Sequence, residues 1–442
     1  MLRATFLDKA DASRRVLEPT PRSDIMAATS YKPMPSNSTT AHASSAIYHH
    51  RTQGKAVEGI HIRGVTDALR ALGVEVDIVS MPGANPYAAP RSMSPTRQAT
   101  WLMRLVSSLP EPLFEIAEMA YNVIAVARLL KTLREKPVDF IYERYSLFLL
   151  AGVLVAKWRH IPIILEVNDS AIVHRVRPLF FGACAKRVER WVFRNCQGLV
   201  FVSSAFRDRA MAAHGALAPS IVSPNAANIA QFSFTPQQRD DTRARYGLND
   251  SIVCGYLGAF VPWHGIDAFV RRIADRLSDH PDLKLLLVGD GALYPALRDF
   301  VESRKLTERV ILTGRVPHDQ VPGLLAAMDL AILPNAGDYT SPVKLFEFMA
   351  CGIPPVAPDL EPVREVLVEA QTGWMFEAGD IDAAVKVVFD RASEPLELRR
   401  VGMAARAYIE RERQWHNNAL QLLDFHRSLL DAARASIPGV GH

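Results

Sequence analysis

Short apolar blocks recur along the chain, each closed by a polar or glycine turn and most followed by residues at helical spacing. Ala46-Ile47-Tyr48-His49-His50 is a short strand candidate. Gly59 opens a helical pattern through Ile60, Ile62, Val65, Leu69 and Leu72, and Gly73 ends it. Val74 to Val79 then alternates like a strand. This is a strand–helix–strand unit. Residues 101–135 are expected to be helical, interrupted at Pro110 and Pro112. Leu113, Ile116, Met119, Val123, Val126 and Leu130 fall on one stripe, read as a core-facing side. Further strands are expected at Phe140–Tyr142, Ile161–Val167 and Gly198–Ser203. In the second half they are expected at Ile252–Gly258, Leu285–Gly291, Val310–Gly314 and Leu330–Pro334. A helical run begins near Pro342, stops at Gly352, and is followed by the strand-like Pro355-Val356-Ala357. Strand, turn and helix alternate through both halves, so the expected class is α/β with two doubly wound parallel sheets. The polar run from Phe234 to Asn249 separates the halves. The expected organisation is a disordered extension over 1–45, a first domain over 46–235, a linker over 236–249 and a second domain over 250–400. A helical tail follows over 401–430.

Composition keeps this picture within the ordinary globular range. At 442 residues, with 49% hydrophobic and 22% charged positions, the chain can bury two cores. A net charge of +4 gives no argument for nucleic acid. The four cysteines form no CxxC pair, and they read as reduced thiols of a cytoplasmic protein. No apolar run has transmembrane length, and residues 1–25 lack the apolar core of a signal peptide. Met26 is a candidate start. Charge changes the picture in one place. Between Ala171 and Ala210 stand eight Lys/Arg against two acids, a local excess above that of the whole chain. Within it, residues 183–194 interleave Val188, Trp191 and Val192 with bases at helical spacing. A solvated helix and a helix resting on an anionic membrane are both consistent with that pattern.

Candidate chemistry sits where open α/β sheets bind ligands, at the carboxyl ends of strands. Glu143 and Arg144 follow one strand, and Asn168 and Asp169 follow another. Asn168 and Asp169 are candidates for contact with a substrate, or for helix caps. The first loop carries Gly54 and Lys55. Its glycine permits close approach of a ligand, but the GxGxxG spacing of a dinucleotide site is missing. The stretch Asp338-Tyr339-Thr340-Ser341-Pro342-Val343-Lys344-Leu345-Phe346-Glu347 leads into a helix start. There, free N–H groups and the dipole favour an anion. Lys344 lies in the first turn and Glu347 three residues on, so both can share a face. A cation and a carboxylate so placed suit a ligand with a diphosphate at one end and a sugar diol at the other. They equally suit a capped surface helix with a local ion pair.

Lys344-Leu345-Phe346-Glu347-Phe348-Met349-Ala350-Cys351-Gly352 resembles the donor-site signature of the GT-B retaining glycosyltransferases of family 4. That signature has Glu, seven residues, a second Glu, then Ala-Met-Ala-x-Gly. Glu347 matches the second Glu. The first falls on Tyr339, with Asp338 one place earlier. The local pattern is the Ser-Pro-x-Lys-x-x-Glu variant. The family's Arg and Lys for the diphosphate fall on Ala259 and His264, a departure that leaves Lys344 as the substitute cation. The resemblance covers roughly 46–430. It implies transfer of a sugar from a nucleotide-diphospho-sugar to a hydroxyl of a glycan or lipid-linked acceptor, in polysaccharide or glycolipid synthesis. It implies no metal and no cofactor. It also implies that the helical tail crosses back onto the first domain. Under it, Lys344, His264, Asn168 and Asp169 carry the chemistry. Glu347, Asp338, Tyr339, Thr340, Ser341, Gly258, Gly289 and Arg315 hold the donor, and Gly54, Lys55 and Arg144 face the acceptor. A nucleotide-sugar epimerase on the same fold is a rival reading. A degenerate binding subunit is another, favoured by Ala259 and the missing first Glu.

Overall fold

The computed structural model describes residues 44–52, 57–87, 110–173, 178–317 and 320–435. Gly54 and Lys55 therefore lie outside the described residues, as do 1–43 and 101–109. Six parallel strands form the first sheet in the order β2-β1-β3-β4-β5-β6. They are β1 Ser45–His50, β2 Glu75–Ser80, β3 Phe140–Arg144, β4 Ile163–Val167, β5 Gly198–Phe201 and β6 Ser220–Val222. Ser45, expected in the disordered extension, opens β1, where its N–H donates to Asp139 Oδ2 (2.7 Å). The connecting helices are α1 Val57–Ala71, α2 Glu111–Glu135, α3 Ala151–Arg159, α4 Gly182–Asn195 and α5 Ser204–His214. The α2 to α5 helices line one face, where Leu129, Val153, Val192 and Phe206 pack on Ile47, Ile141 and Leu165.

Only part of the expected stripe of α2 packs, Met119, Val126 and Leu130 lying half-buried against the core. Tyr121, Ala125, Leu129 and Leu133 point inward, whereas Leu113, Ile116 and Val123 face solvent. The helix is apolar on both sides, so periodicity alone could not choose between them.

The second sheet has the order β12-β11-β10-β7-β8-β9, again parallel. Its strands are β7 Ile252–Leu257, β8 Leu283–Val288, β9 Val310–Gly314, β10 Leu330–Ile332, β11 Pro355–Pro358 and β12 Trp374–Phe376. The run expected as a linker contains helix α6 Pro236–Arg245. It starts on a capping box in which Thr235 Oγ1 accepts from Gln238 N (3.2 Å) and Gln238 Oε1 from Thr235 N (2.8 Å). Its polarity has a structural use. Arg239 and Arg243 grip Asp329 at 2.5 and 3.2 Å, tying α6 to the second domain. Helices α7 Ile266–Ala274, α8 Tyr294–Ser303, α9 Val321–Ala326, α10 Val343–Ala350, α11 Glu361–Arg364, α12 Ile381–Ala392 and α13 Pro395–Glu412 complete this half.

The last helix, α14 Trp415–Ala435, returns to the first domain. Trp415 packs in the core that Tyr48, Leu69 and Phe140 form on the opposite face of the first sheet. Gly64 of α1 permits this approach, because a Cβ there would lie 2.5 Å from the Trp415 indole. Asn418 Nδ2 and Gln421 Nε2 donate to the carbonyls of Pro224 (2.8 Å) and Val222 (3.0 Å).

The carboxyl-edge loops of the two sheets meet. Ser203, just beyond β5, caps α5 by accepting from Phe206 N (3.1 Å) and donates to the Tyr339 carbonyl (2.7 Å). Glu365, after α11, accepts from Ser204 N (2.8 Å) at the start of α5. Asn225 N donates to Ser341 Oγ (2.9 Å).

Candidate functional site

The second sheet ends in a cluster built around Lys344 and Tyr256. Pro342 in extended backbone precedes α10, which places Lys344 in its first turn and Glu347 one turn further on. Lys344 Nζ lies 4.8 Å from the Tyr256 ring centroid and 3.5 Å from its hydroxyl. Gly258, at φ +145°, makes room for it, since a Cβ there would sit 2.6 Å from Nζ. Gly289, at φ +142°, in turn lets the β8 loop touch the Gly258 carbonyl, which a Cβ would approach to 1.9 Å. Both backbone conformations favour glycine.

Burial controls the electrostatics of this corner. It pulls Lys344 down to about 8, with Glu347 opposing. It pushes the buried Glu347 up to about 7, with Lys344 opposing. Among the described residues no hydrogen bond reaches the Glu347 carboxylate.

His264, expected to meet the diphosphate, is anchored through one ring nitrogen. It sits in a short turn after β7, where Nδ1 donates to the Ala259 carbonyl (2.7 Å) beside the Tyr256 hydroxyl (3.1 Å). Burial first, and the Lys344 charge second, hold it below its ordinary pKa. A protonated imidazole serving as a second cation is therefore disfavoured near neutral pH, and Nε2 remains outside the Ala259 bond.

The loop before α10, expected to hold the donor, is tied to the first domain. Asp338 is held bidentately by Arg209 of α5, at 2.8 and 2.6 Å, which keeps its carboxyl below the usual range. Tyr339 packs edge-on against Phe206 at 5.0 Å. Neither was expected to be engaged by the first domain. Long-range packing of α5 claims both side chains. Thr340 Oγ1 donates to the Gly337 carbonyl (3.1 Å), closing the turn, and Ser341 is held by Asn225. Arg315 projects from the end of β9 with its side chain 85% exposed, 3.8 Å from Asp290.

In the first domain the structure groups Arg144 and Asn168 on Glu166. Arg144 Nη1 donates to Glu166 Oε1 (2.5 Å) and lies 3.2 Å from His61 Nδ1, and Asn168 Nδ2 donates to the same oxygen. Arg144, expected to face the acceptor, is thus a half-buried member of an ion pair with Glu166. Asp169 Oδ1 accepts from Ser170 N (2.8 Å). Nearby, His49 and Glu143 form a fully buried pair at 2.5 Å. Among the described residues no group of three His, Cys, Asp or Glu side chains could hold a metal ion.

Sequence reasoning missed Tyr256. Its position inside an apolar strand reads as core, and nothing local reveals that Lys344, far along the chain, will lie on its ring.

Residues 59–231 match the family profile described as "Glycosyltransferase Family 4", and residues 251–390 match "Glycosyl transferases group 1". The chain belongs to the group 1 glycosyltransferases. Among similar proteins is the GDP-mannose-dependent alpha-(1-6)-phosphatidylinositol monomannoside mannosyltransferase of Mycolicibacterium smegmatis. It is 26% identical over 257 residues, 57% of this chain and 67% of that protein. The alpha-D-kanosaminyltransferase of Streptomyces kanamyceticus is 24% identical over 228 residues, 50% of this chain and 58% of that one. The match to a Corynebacterium glutamicum mannosyltransferase covers 52% of its length, so the chain spans between about half and two thirds of these relatives. Solved structures agree in fold. Anabaena Alr3699/HepE in complex with UDP is 17% identical, with a TM-score of 0.66 over 87% of this chain and 100% of that one. Sucrose-phosphate synthase from Thermosynechococcus elongatus is 19% identical, with a TM-score of 0.65 over 88% of this chain and 100% of that one. The two Rossmann-like domains are those of the GT-B fold.

Proposed function

We propose that this protein is a retaining, metal-independent glycosyltransferase that moves a sugar from a nucleotide-diphospho-sugar to a hydroxyl of a glycan or lipid-linked acceptor. The observation that carries this reading is the Lys344–Glu347 arrangement at the start of α10, with Lys344 against Gly258 at the end of β7. The helix N-terminus and Lys344 would hold the diphosphate, stabilising the charge that develops on it as the bond from the anomeric carbon breaks. The acceptor oxygen forms the new bond to that carbon, and its proton passes to the departing diphosphate. Glu347, poised near neutrality, would accept hydrogen bonds from the ribose hydroxyls. Arg315, exposed at the end of β9, would approach the nucleotide. Asn168 and Asp169, at the end of β4, would face the transferred sugar. The GDP-mannose dependence of the Mycolicibacterium relative supports a nucleotide-sugar donor, as does the UDP bound by the Anabaena protein.

The test is a thermal-shift screen against UDP-, GDP-, ADP- and TDP-sugars. A donor at one hundred times its dissociation constant should add about 2.7 kcal/mol of stability. A shift with one nucleotide that disappears in Glu347→Ala is the expected result. NMR of the product with that donor should show the anomeric configuration retained. Silence with all four nucleotides would remove the donor site from the account. Inversion at the anomeric carbon would overturn the retaining step.

A further inference from the structure

Between residues 113 and 127 every exposed position of α2 is apolar: Leu113, Ile116, Ala120, Val123, Ile124 and Ala127. Val123 is 75% exposed. At 1.5 Å per residue the stripe runs for about 21 Å along the helix. The two acids within it are turned away. Glu115 is buried, accepting from the N–H groups of Phe180 (2.6 Å) and Phe181 (2.8 Å), and Glu118 is paired with Arg51 at 2.6 Å. A water-facing stripe of this length without a charge calls for a partner.

The neighbouring helices say which partner. The α3 helix packs beside α2 and exposes Leu154, Lys157, Trp158 and Arg159, with Trp158 67% exposed. Lys157 Nζ donates to Asn195 Oδ1 (2.5 Å), which joins α3 to α4 at the surface. The α4 helix exposes Lys186, Arg187, Arg190, Trp191 and Arg194. The one acid on α3 and α4 is Glu189, which is buried against Ser170, Ala171 and His214. The face is therefore apolar along α2, cationic along α3 and α4, and carries two exposed tryptophans. Apolar depth, bases without exposed acids and amphipathic rings together match the interface of an anionic bilayer. A second copy of this chain docked face to face would set the same cations against each other.

We propose that the first domain docks on an anionic lipid surface through the outer layer of α2, α3 and α4, with the α2 stripe inserted and the α3 and α4 bases on the headgroups. No helix among the described residues is long and apolar enough to cross a membrane, so the chain lies on the bilayer rather than spanning it. Both α2 and α4 begin at the carboxyl edge of the first sheet, joined there by the Glu115–Phe180 bond, and Phe180 is 65% exposed at that rim. Docking by this face brings that rim, with Phe180, to the lipid. The inference rests on the proposed function only for its purpose, access to a lipid-linked acceptor. Docking itself is read without donor or acceptor.

The experiment is flotation of the full chain with phosphatidylcholine vesicles, with and without phosphatidylglycerol. The protein should float with the anionic vesicles, less so at high salt, and stay behind with the neutral ones. Val123→Glu/Ile124→Glu should cut the bound fraction by about tenfold or more. Arg187→Glu/Arg190→Glu should act similarly on the anionic vesicles. Melting temperature and the donor-induced thermal shift should be unchanged in both variants, which separates failure to dock from failure of the donor site. Wild-type protein that never floats overturns the proposal, and so does a Val123→Glu/Ile124→Glu variant that floats as well as wild type. A wild-type dimer that this variant dissociates, with no vesicle binding, assigns the stripe to a second copy instead.

Discussion

Lys344 Nζ rests 4.8 Å from the centroid of the Tyr256 ring, joining the start of α10 to the penultimate residue of β7. A cation over an aromatic face gains about 0.5–2 kcal/mol, more as it is desolvated. The ring thus holds in place an ammonium group that has lost much of its water.

Tyr256→Leu removes the ring face while keeping an apolar side chain in the core. Donor affinity is expected to fall by about 2- to 30-fold, the range that the cation–π gain sets. Tyr256→Phe keeps the ring and loses the hydroxyl beside Ala259 and His264, so its effect should be smaller. Calorimetric titration with the nucleotide that stabilises the protein checks the order. Equal affinities in Tyr256→Leu and wild type would remove Tyr256 from the site.

Donor affinity is expected to have a narrow pH optimum. Glu347 titrates at about 7 and must be charged to accept strongly from a diol. Lys344 titrates at about 8 and must be charged to meet a diphosphate. Affinity should weaken by about tenfold per pH unit above the Lys344 value and weaken again below the Glu347 value. Calorimetric titration across that range checks the profile, and Glu347→Gln should lose the acid limb alone.

The ligand-free protein should show the opposite trend. Glu347, raised from 4.5, contributes stability that is lost as pH rises through about 7. Lys344, lowered from 10.5, contributes stability that is lost as pH falls through about 8. The pair therefore helps folding least where it helps binding most. Lys344→Met should raise the melting temperature without donor and abolish the donor shift.

At the joint between the domains, the Arg209–Asp338 pair is exposed, so Arg209→Ala should change stability by no more than about 1 kcal/mol. Ser203→Ala removes a helix cap and the hydroxyl donor to the Tyr339 carbonyl, and should cost about 1–2 kcal/mol. Denaturant titration compares the two. A larger loss in Arg209→Ala than in Ser203→Ala would show that the ion pair, not the cap, holds the joint.

Much of the molecule follows from local pattern. Strand positions, the glycine turns at Gly258 and Gly289, and the placing of Lys344 and Glu347 one turn apart on α10 depend on residues close in the chain. Periodicity and turn chemistry report such features directly. What the sequence left open depends on residues far apart. The Tyr256 ring lies 88 positions before Lys344. Asp338 is drawn to Arg209 across 129 positions, and Arg144 is absorbed by Glu166 on a neighbouring strand. The α2 helix presents two apolar sides, and only packing against the first sheet decided that Leu129 is core and Val123 is surface. Local propensity selects an element and its faces. The choice of which face is buried, and which charges lose their water, is made by the contacts that close the fold.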